Sequence, residues 1–208
     1  MRIEQNYVNM RMPQFEYEQY CKCQLAKEVQ CMCKVINNIM GKSAEELLQM
    51  SKQSDVIPVS LTKILNTVGI SCLPFDFKGD TNILGALVCV GNNAAIFYRK
   101  DDPRDGHRYR FTVAHELAHC CLQHINTQHG SVHYRKETDN ENEDEIAANI
   151  FAGELLIPEK SLRNALEELL LPSLKLLAQM FAVSENVMRA RLDYLEVKRK
   201  VIGYNFTL

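Results

Sequence analysis

The stretch that most narrows the possible folds is Tyr109 to His124, an apolar run at helical spacing with ionisable side chains set inside it. Within it, Val113-Ala114-His115-Glu116-Leu117-Ala118-His119 carries the pattern H-E-x-x-H, flanked by Phe111, Val113, Leu117 and Leu122. Residues four apart share one helix face, so His115 and His119 can aim both imidazoles at a single point. The apolar flanks predict a buried helix, and a buried polar trio needs partners. A zinc ion is the partner that two imidazoles at this spacing take, with Glu116 leaning over a water at the open coordination position. Zinc lowers the pKa of such a water, and Glu116 can accept its proton and pass it to a leaving amine. The plainer alternative is a helix whose histidines form a solvated polar face, and the apolar flanks argue against it.

A catalytic zinc site commonly has three protein ligands. Glu141, Glu143, Asp144 and Glu145 crowd the start of the next helix, expected from Glu143 to about Leu155. Acids at a helix start also complement its dipole, which is the bland reading. Glu145 is set apart by Asn149, one turn later on the same face, which could orient a ligating histidine. Glu145 is therefore the favoured third ligand, with Asp144 and Glu141 as alternatives. A peptidase also needs a donor for the oxyanion of its transition state. His129, His133 and Tyr134 lie in the polar stretch 126–142 and could reach the site, though loop histidines are commonly solvated. Arg110 could act in the same way or form a structural salt bridge.

Elsewhere the chain reads as helices around a small antiparallel sheet, an α+β class. Composition is helical from about Tyr17 to Met50, and Ser43 with Glu46 resembles a capping box. Ser60 caps an expected helix through Leu65, with Gly69 as its stop. Strands are expected at Ile70–Phe75, Ile83–Val90 and Ala94–Tyr98, the last two joined by a hairpin turn at Gly91-Asn92-Asn93. Further helices are expected from Pro158 to Leu170 and between Ser173 and Lys200, and a short strand at Val201–Leu208. The segment Leu174–Leu195 reads as helix-turn-helix, with Arg189 and Arg191 adding charge; it is either a packed core pair or a DNA-reading element. A net charge of -2 argues against direct DNA binding. No run of about 18 apolar residues predicts a membrane span, and the start of the chain lacks an apolar signal core, so a cytoplasmic protein with reduced thiols is expected. Cys21, Cys23, Cys31 and Cys33 form two C-x-C pairs. Four thiolates can hold a structural metal, but the spacing is unusual and buried packing is the simpler reading.

The string Arg110-Phe111-Thr112-Val113-Ala114-His115-Glu116-Leu117-Ala118-His119 resembles the active-site helix of the ImmA/IrrE metallopeptidases. Glu145-Ile146-Ala147-Ala148-Asn149-Ile150-Phe151-Ala152, followed by Leu155-Leu156-Ile157-Pro158, resembles that family's E-x-x-A-N-x-F-A and L-L-x-P segments. Leu177-Ala178, Phe181, Val183-Ser184 and Arg191-Leu192 fit as well, so the resemblance covers roughly residues 55 to 195. It implies a zincin-like core of helices and a three-stranded antiparallel sheet. The chain is expected to divide into a helical extension at 1–50, which the resemblance does not cover, and a peptidase domain at 51–208. The resemblance also implies His115, His119 and Glu145 as zinc ligands and Glu116 as base. The implied activity is limited cleavage of a helix-turn-helix repressor, often from a mobile element, which switches transcription on. Ala118 departs from the family's usual glycine. Gln123 stands where many members have histidine, with His124 one position later, which argues against His124 as a ligand.

Overall fold

A computed structural model describes residues 38–77, 82–90, 93–102, 106–124, 131–136, 142–198, 201, 202 and 204. Cys21, Cys23, Cys31, Cys33, His129 and Glu141 lie outside the described residues, as does the side chain of Tyr134. Seven helices and four strands make up the described elements, in an α+β arrangement. In order they are α1 (Ala44–Met50), α2 (Leu61–Val68), β1 (Ser71–Phe75), β2 (Ile83–Val90), β3 (Asn93–Arg99), α3 (His107–Cys121), β4 (Ser131–Lys136), α4 (Glu143–Leu156), α5 (Glu159–Glu168), α6 (Leu174–Phe181) and α7 (Glu185–Tyr194). None of these helices is long and apolar enough to cross a membrane.

Local chemistry sets most helix boundaries. Ser43 Oγ accepts from Glu46 N at 3.2 Å while Glu46 Oε2 accepts from Ser43 N at 2.8 Å, a complete capping box opening α1. Ser60, Asn142, Ser173 and Ser184 cap α2, α4, α6 and α7 through their side chains. Each such cap stabilises its helix by about 0.5–2 kcal/mol. Gly69 ends α2 with φ 77°, a left-handed conformation that costs glycine little. The buried Ala44, Leu47 and Leu48 of α1 share one core with Val113 and Leu117 of α3 and Leu155 of α4. That core therefore crosses the domain boundary expected at residue 50.

The sheet corrects the expectation of three antiparallel strands. It has four, in the order β1-β3-β2-β4, and β1 runs parallel to β3 while the other two pairings are antiparallel. The fourth strand comes from the polar stretch between α3 and α4. It lies at the sheet edge, and its alternation rests on Val132 and Tyr134 alone, too short a pattern to stand out within the polar stretch 126–142. Strand direction is set by which edge of the β2–β3 hairpin receives β1, and local sequence does not encode that choice.

Helix α3 lies over this sheet with twelve of its fifteen residues buried, so it is enclosed rather than amphipathic at a surface. It packs tightly against Gly85 of β2, where an added Cβ would stand 2.4 Å from Thr112 Cγ2 and 3.0 Å from Phe97 O. Thr112 is fully buried and stiff at χ1, so it cannot swing aside cheaply. Gly85→Ala should therefore push α3 off the sheet and destabilise the protein by about 1–3 kcal/mol, read as a lower urea midpoint. An unchanged midpoint would mean that the helix has room to move.

Candidate metal centre

Two helices bring the polar groups together. His115 and His119 lie one turn apart on the enclosed α3, and Glu145 sits in the first turn of α4, which packs across it. Three acidic residues in that turn, with the Asn142 cap, suit the positive end of the α4 dipole. The imidazole Nε2 atoms of His115 and His119 are 3.0 Å apart. Glu145 Oε2 is 3.0 Å from His115 Nε2, and its Oε1 is 3.4 Å from His119 Nε2. One ligand atom from each residue falls within a 4.8 Å span, with all three side chains buried.

The surrounding contacts fix the orientation of these groups. Asn149 Oδ1 lies 3.0 Å from His115 Nδ1, and an amide oxygen there requires that Nδ1 carry the proton. His115 Nε2 then offers a lone pair toward His119 and Glu145. Two ring nitrogens and a carboxylate converging on one point are all acceptors unless protonated, so the cluster calls for a cation. The donor set fits a metal for that reason. A second sign is Glu116, fully buried, whose Oε1 has no hydrogen-bond partner among the described residues.

His133 arrives from β4. It pairs in register with Leu87 of β2, and cross-strand partners share a face, so it projects toward α3. Its Nε2 is 3.0 Å from Glu145 Oε1 and its Nδ1 3.4 Å from Glu116 Oε2. Burial opposes charge on this ring, but the hydrogen bond to Glu116 and the two carboxylate charges outweigh burial and raise its pKa. For His119, burial and then the neighbouring rings of His133 and His115 push the pKa down to about 3. Burial alone would raise Glu145; the hydrogen bond to His115 and the charges of His115, His119 and His133 outweigh it, giving about 2.

The peptidase M78 family model, described as the IrrE N-terminal-like domain, matches residues 89–193, just over half of the chain. The chain belongs to the ImmA/IrrE family. That stretch contains both helices of the cluster, and membership supports a metallopeptidase-like domain acting on protein. Neither the curated proteins nor the solved structures compared with the chain gave a match.

Of the residues singled out in the sequence, the fold gathers His115, Glu116, His119, Glu145, Asn149 and His133. Tyr134 pairs with Ala86 in the neighbouring register position. Asp144, an alternative third ligand, instead faces His124, with Oδ1 3.5 Å from that ring's Nε2. Arg110 donates to the backbone, from Nε to Ala182 O and from Nη2 to Val59 O, both at 2.9 Å. Cys120 and Cys121 are in the core, and burial pushes the Cys121 thiol up to about 12. Two features of this region have no counterpart in the sequence reading: Gly85, whose Cβ position would lie 3.8 Å from Glu116 Oε1, and the place of His124 behind His119. A glycine within an apolar strand run was the available signal for the first.

These shifts fix how the metal-free protein should respond to acid. The folded pKa of His119 lies below its ordinary 6.5, so the unfolded chain takes the extra proton, and this stabilisation is lost as pH falls from 6.5 toward about 3. Glu145 acts in the same direction between 4.5 and about 2. His133 has the opposite sign; its contribution is present below 6.5 and lost as pH rises through its raised value. Chelator-treated protein should show a falling urea midpoint across pH 6.5 to 3, and His119→Gln should flatten that fall. A level wild-type profile would contradict these shifts.

Proposed function

We propose that the chain is a zinc-dependent endopeptidase that makes limited cuts in a protein, with a helix-turn-helix transcriptional repressor as its substrate class. The observation that carries the reading is the convergence of His115, His119 and Glu145 on one buried point beside a buried, unpartnered Glu116 oxygen. When bound, zinc supplies a Lewis acid that polarises a carbonyl and acidifies water. His115 and His119 would hold it through Nε2 and Glu145 through its carboxylate, while Asn149 keeps His115 in the tautomer that offers Nε2.

Glu116 is the base. It accepts a proton from the attacking water at Oε1, then returns it to the amine that leaves. Its burial deprives the carboxylate of competing water. His133, close to both Glu116 and Glu145, is the side chain we assign as donor to a developing oxyanion. The substrate class rests on the family resemblance. A metal-holding but non-cleaving module would need the three ligands and no base, so the intact Glu116 favours cleavage.

Purified wild type and Glu116→Gln should each contain about one zinc per chain by elemental analysis, while His115→Ala and Glu145→Ala lose it. Against a panel of helix-turn-helix repressors, Glu116→Gln should cut roughly 10²–10⁴-fold more slowly than wild type. Full-rate cutting by Glu116→Gln would remove Glu116 as base, and a wild type that takes up no zinc would remove the metallopeptidase reading.

A further inference from the structure

Behind His119 stands a histidine that the peptidase reading leaves unused. Helix α3 closes with Leu122 N donating to Ala118 O at 2.8 Å, after which Gln123 adopts φ 62° and His124 N reaches back to His119 O at 3.1 Å. A bond from the second residue past the cap to the third residue before it is a Schellman closure. On a continuing helix, residues five apart would sit roughly 140° around the axis from each other. The closure instead sets the His119 and His124 rings side by side, with centroids 5.2 Å apart and Nδ1 atoms 3.1 Å apart. The other nitrogen of His124, Nε2, is 3.5 Å from Asp144 Oδ1 at the start of α4. The His124 side chain is only 14% exposed, whereas Asp144 is 56% exposed.

Two Nδ1 atoms at that separation cannot both present lone pairs. His119 Nε2 faces His115 Nε2 at 3.0 Å and Glu145 Oε1 at 3.4 Å, which is the side on which a metal would sit. A neutral His119 that offers Nε2 to a metal carries its proton on Nδ1. That proton is then donated to His124 Nδ1, which leaves the proton of His124 on Nε2, directed at the Asp144 carboxylate. We infer that His124, backed by Asp144, is a positioning residue that holds His119 in the tautomer and ring orientation which present Nε2 to the metal. It does for His119 what Asn149 does for His115. His124 is not itself a ligand, because its Nδ1 meets the edge of His119 that faces away from Glu145. This inference rests on the proposed metal site.

The test uses the full chain and zinc alone, titrated against a chromophoric chelator, with the visible spectrum of the cobalt(II)-loaded protein as a readout of ligand geometry. His124→Leu keeps bulk and removes the acceptor; it should weaken zinc binding about 10–100-fold and alter the cobalt spectrum. His124→Asn puts an amide oxygen near the lost Nδ1 and should restore most of the affinity and the wild-type spectrum. Asp144→Asn should give a smaller loss, because its carboxylate is largely in water. If wild type binds zinc and His124→Leu binds it as tightly with an unchanged spectrum, the inference is overturned and the metal site stands. The inference also falls if His124→Asn is no better than His124→Leu. Should His124→Leu fail to fold, as read by a metal-free thermal melt, His124→Asn and Asp144→Asn decide: affinity near wild type in the first with a modest loss in the second supports the relay, and no loss in the second overturns it. A wild type that takes up no zinc overturns the metal site, and this inference with it.

Discussion

Burying His115, Glu116 and His119 on one helix against a sheet is the constraint around which the molecule is arranged. Each ionisable group withdrawn from water costs several kcal/mol unless something nearby compensates for it. The surrounding apolar side chains supply the opposing term, since Val113, Leu117 and Leu155 are each fully buried and contribute about 1.5–3 kcal/mol apiece. The polar groups themselves are met by a second helix. Its first turn delivers Glu145, its next turn delivers Asn149, and its start carries Asp144 toward His124. Helix α4 thus reaches every histidine of the cluster except the second face of His119, and the relative placement of α3 and α4 becomes the critical dimension.

Two buried arginines hold that placement. Arg110, on α3, bridges the carbonyl of Val59 before α2 and that of Ala182 between α6 and α7. Ala182 adopts φ 51°, so its carbonyl stands at a point where the helical ladder has ended and an external donor is needed. Arg191, on α7, donates from Nε to Ile157 O at the end of α4 and lies 3.5 Å from Glu154. Burial lowers the pKa of Arg191 and the nearby carboxylates oppose that shift. The helix-turn-helix pair α6–α7 is therefore joined to the site as a buttress, and Arg191, one of the two charges that suggested a DNA-reading surface, is engaged inside the protein.

The sequence made the centre legible because its chemistry is local to two helices. An i, i+4 histidine pair in an apolar run, and a Glu with an Asn one turn on, both survive any choice of tertiary arrangement. The helix caps were legible for the same reason, since a serine and the residues just after it decide them. What stayed hidden depended on distant partners. Strand β4 carries only Val132 and Tyr134 as apolar residues within a long polar stretch, so its short alternation does not stand out from a loop. The parallel β1–β3 pairing follows from sheet assembly. The closeness of His124 to His119 depends on a left-handed Gln123, a conformation usually given to Gly or Asn, so the turn carried no residue signal.

The polarity of β4 has a physical counterpart in what His133 touches. A short edge strand gains little from its own apolar burial, so its seat on β2 depends on the ladder and on side-chain anchors. His133 is such an anchor, lying between Glu116 and Glu145, so the two buried carboxylates of the cluster also hold the edge strand. Both nitrogens of one ring can donate to two carboxylates only when the ring is protonated, and its raised pKa follows from that arrangement. The strand and the cluster are thus one electrostatic unit. His133 is the point at which the edge strand meets both carboxylates of the cluster.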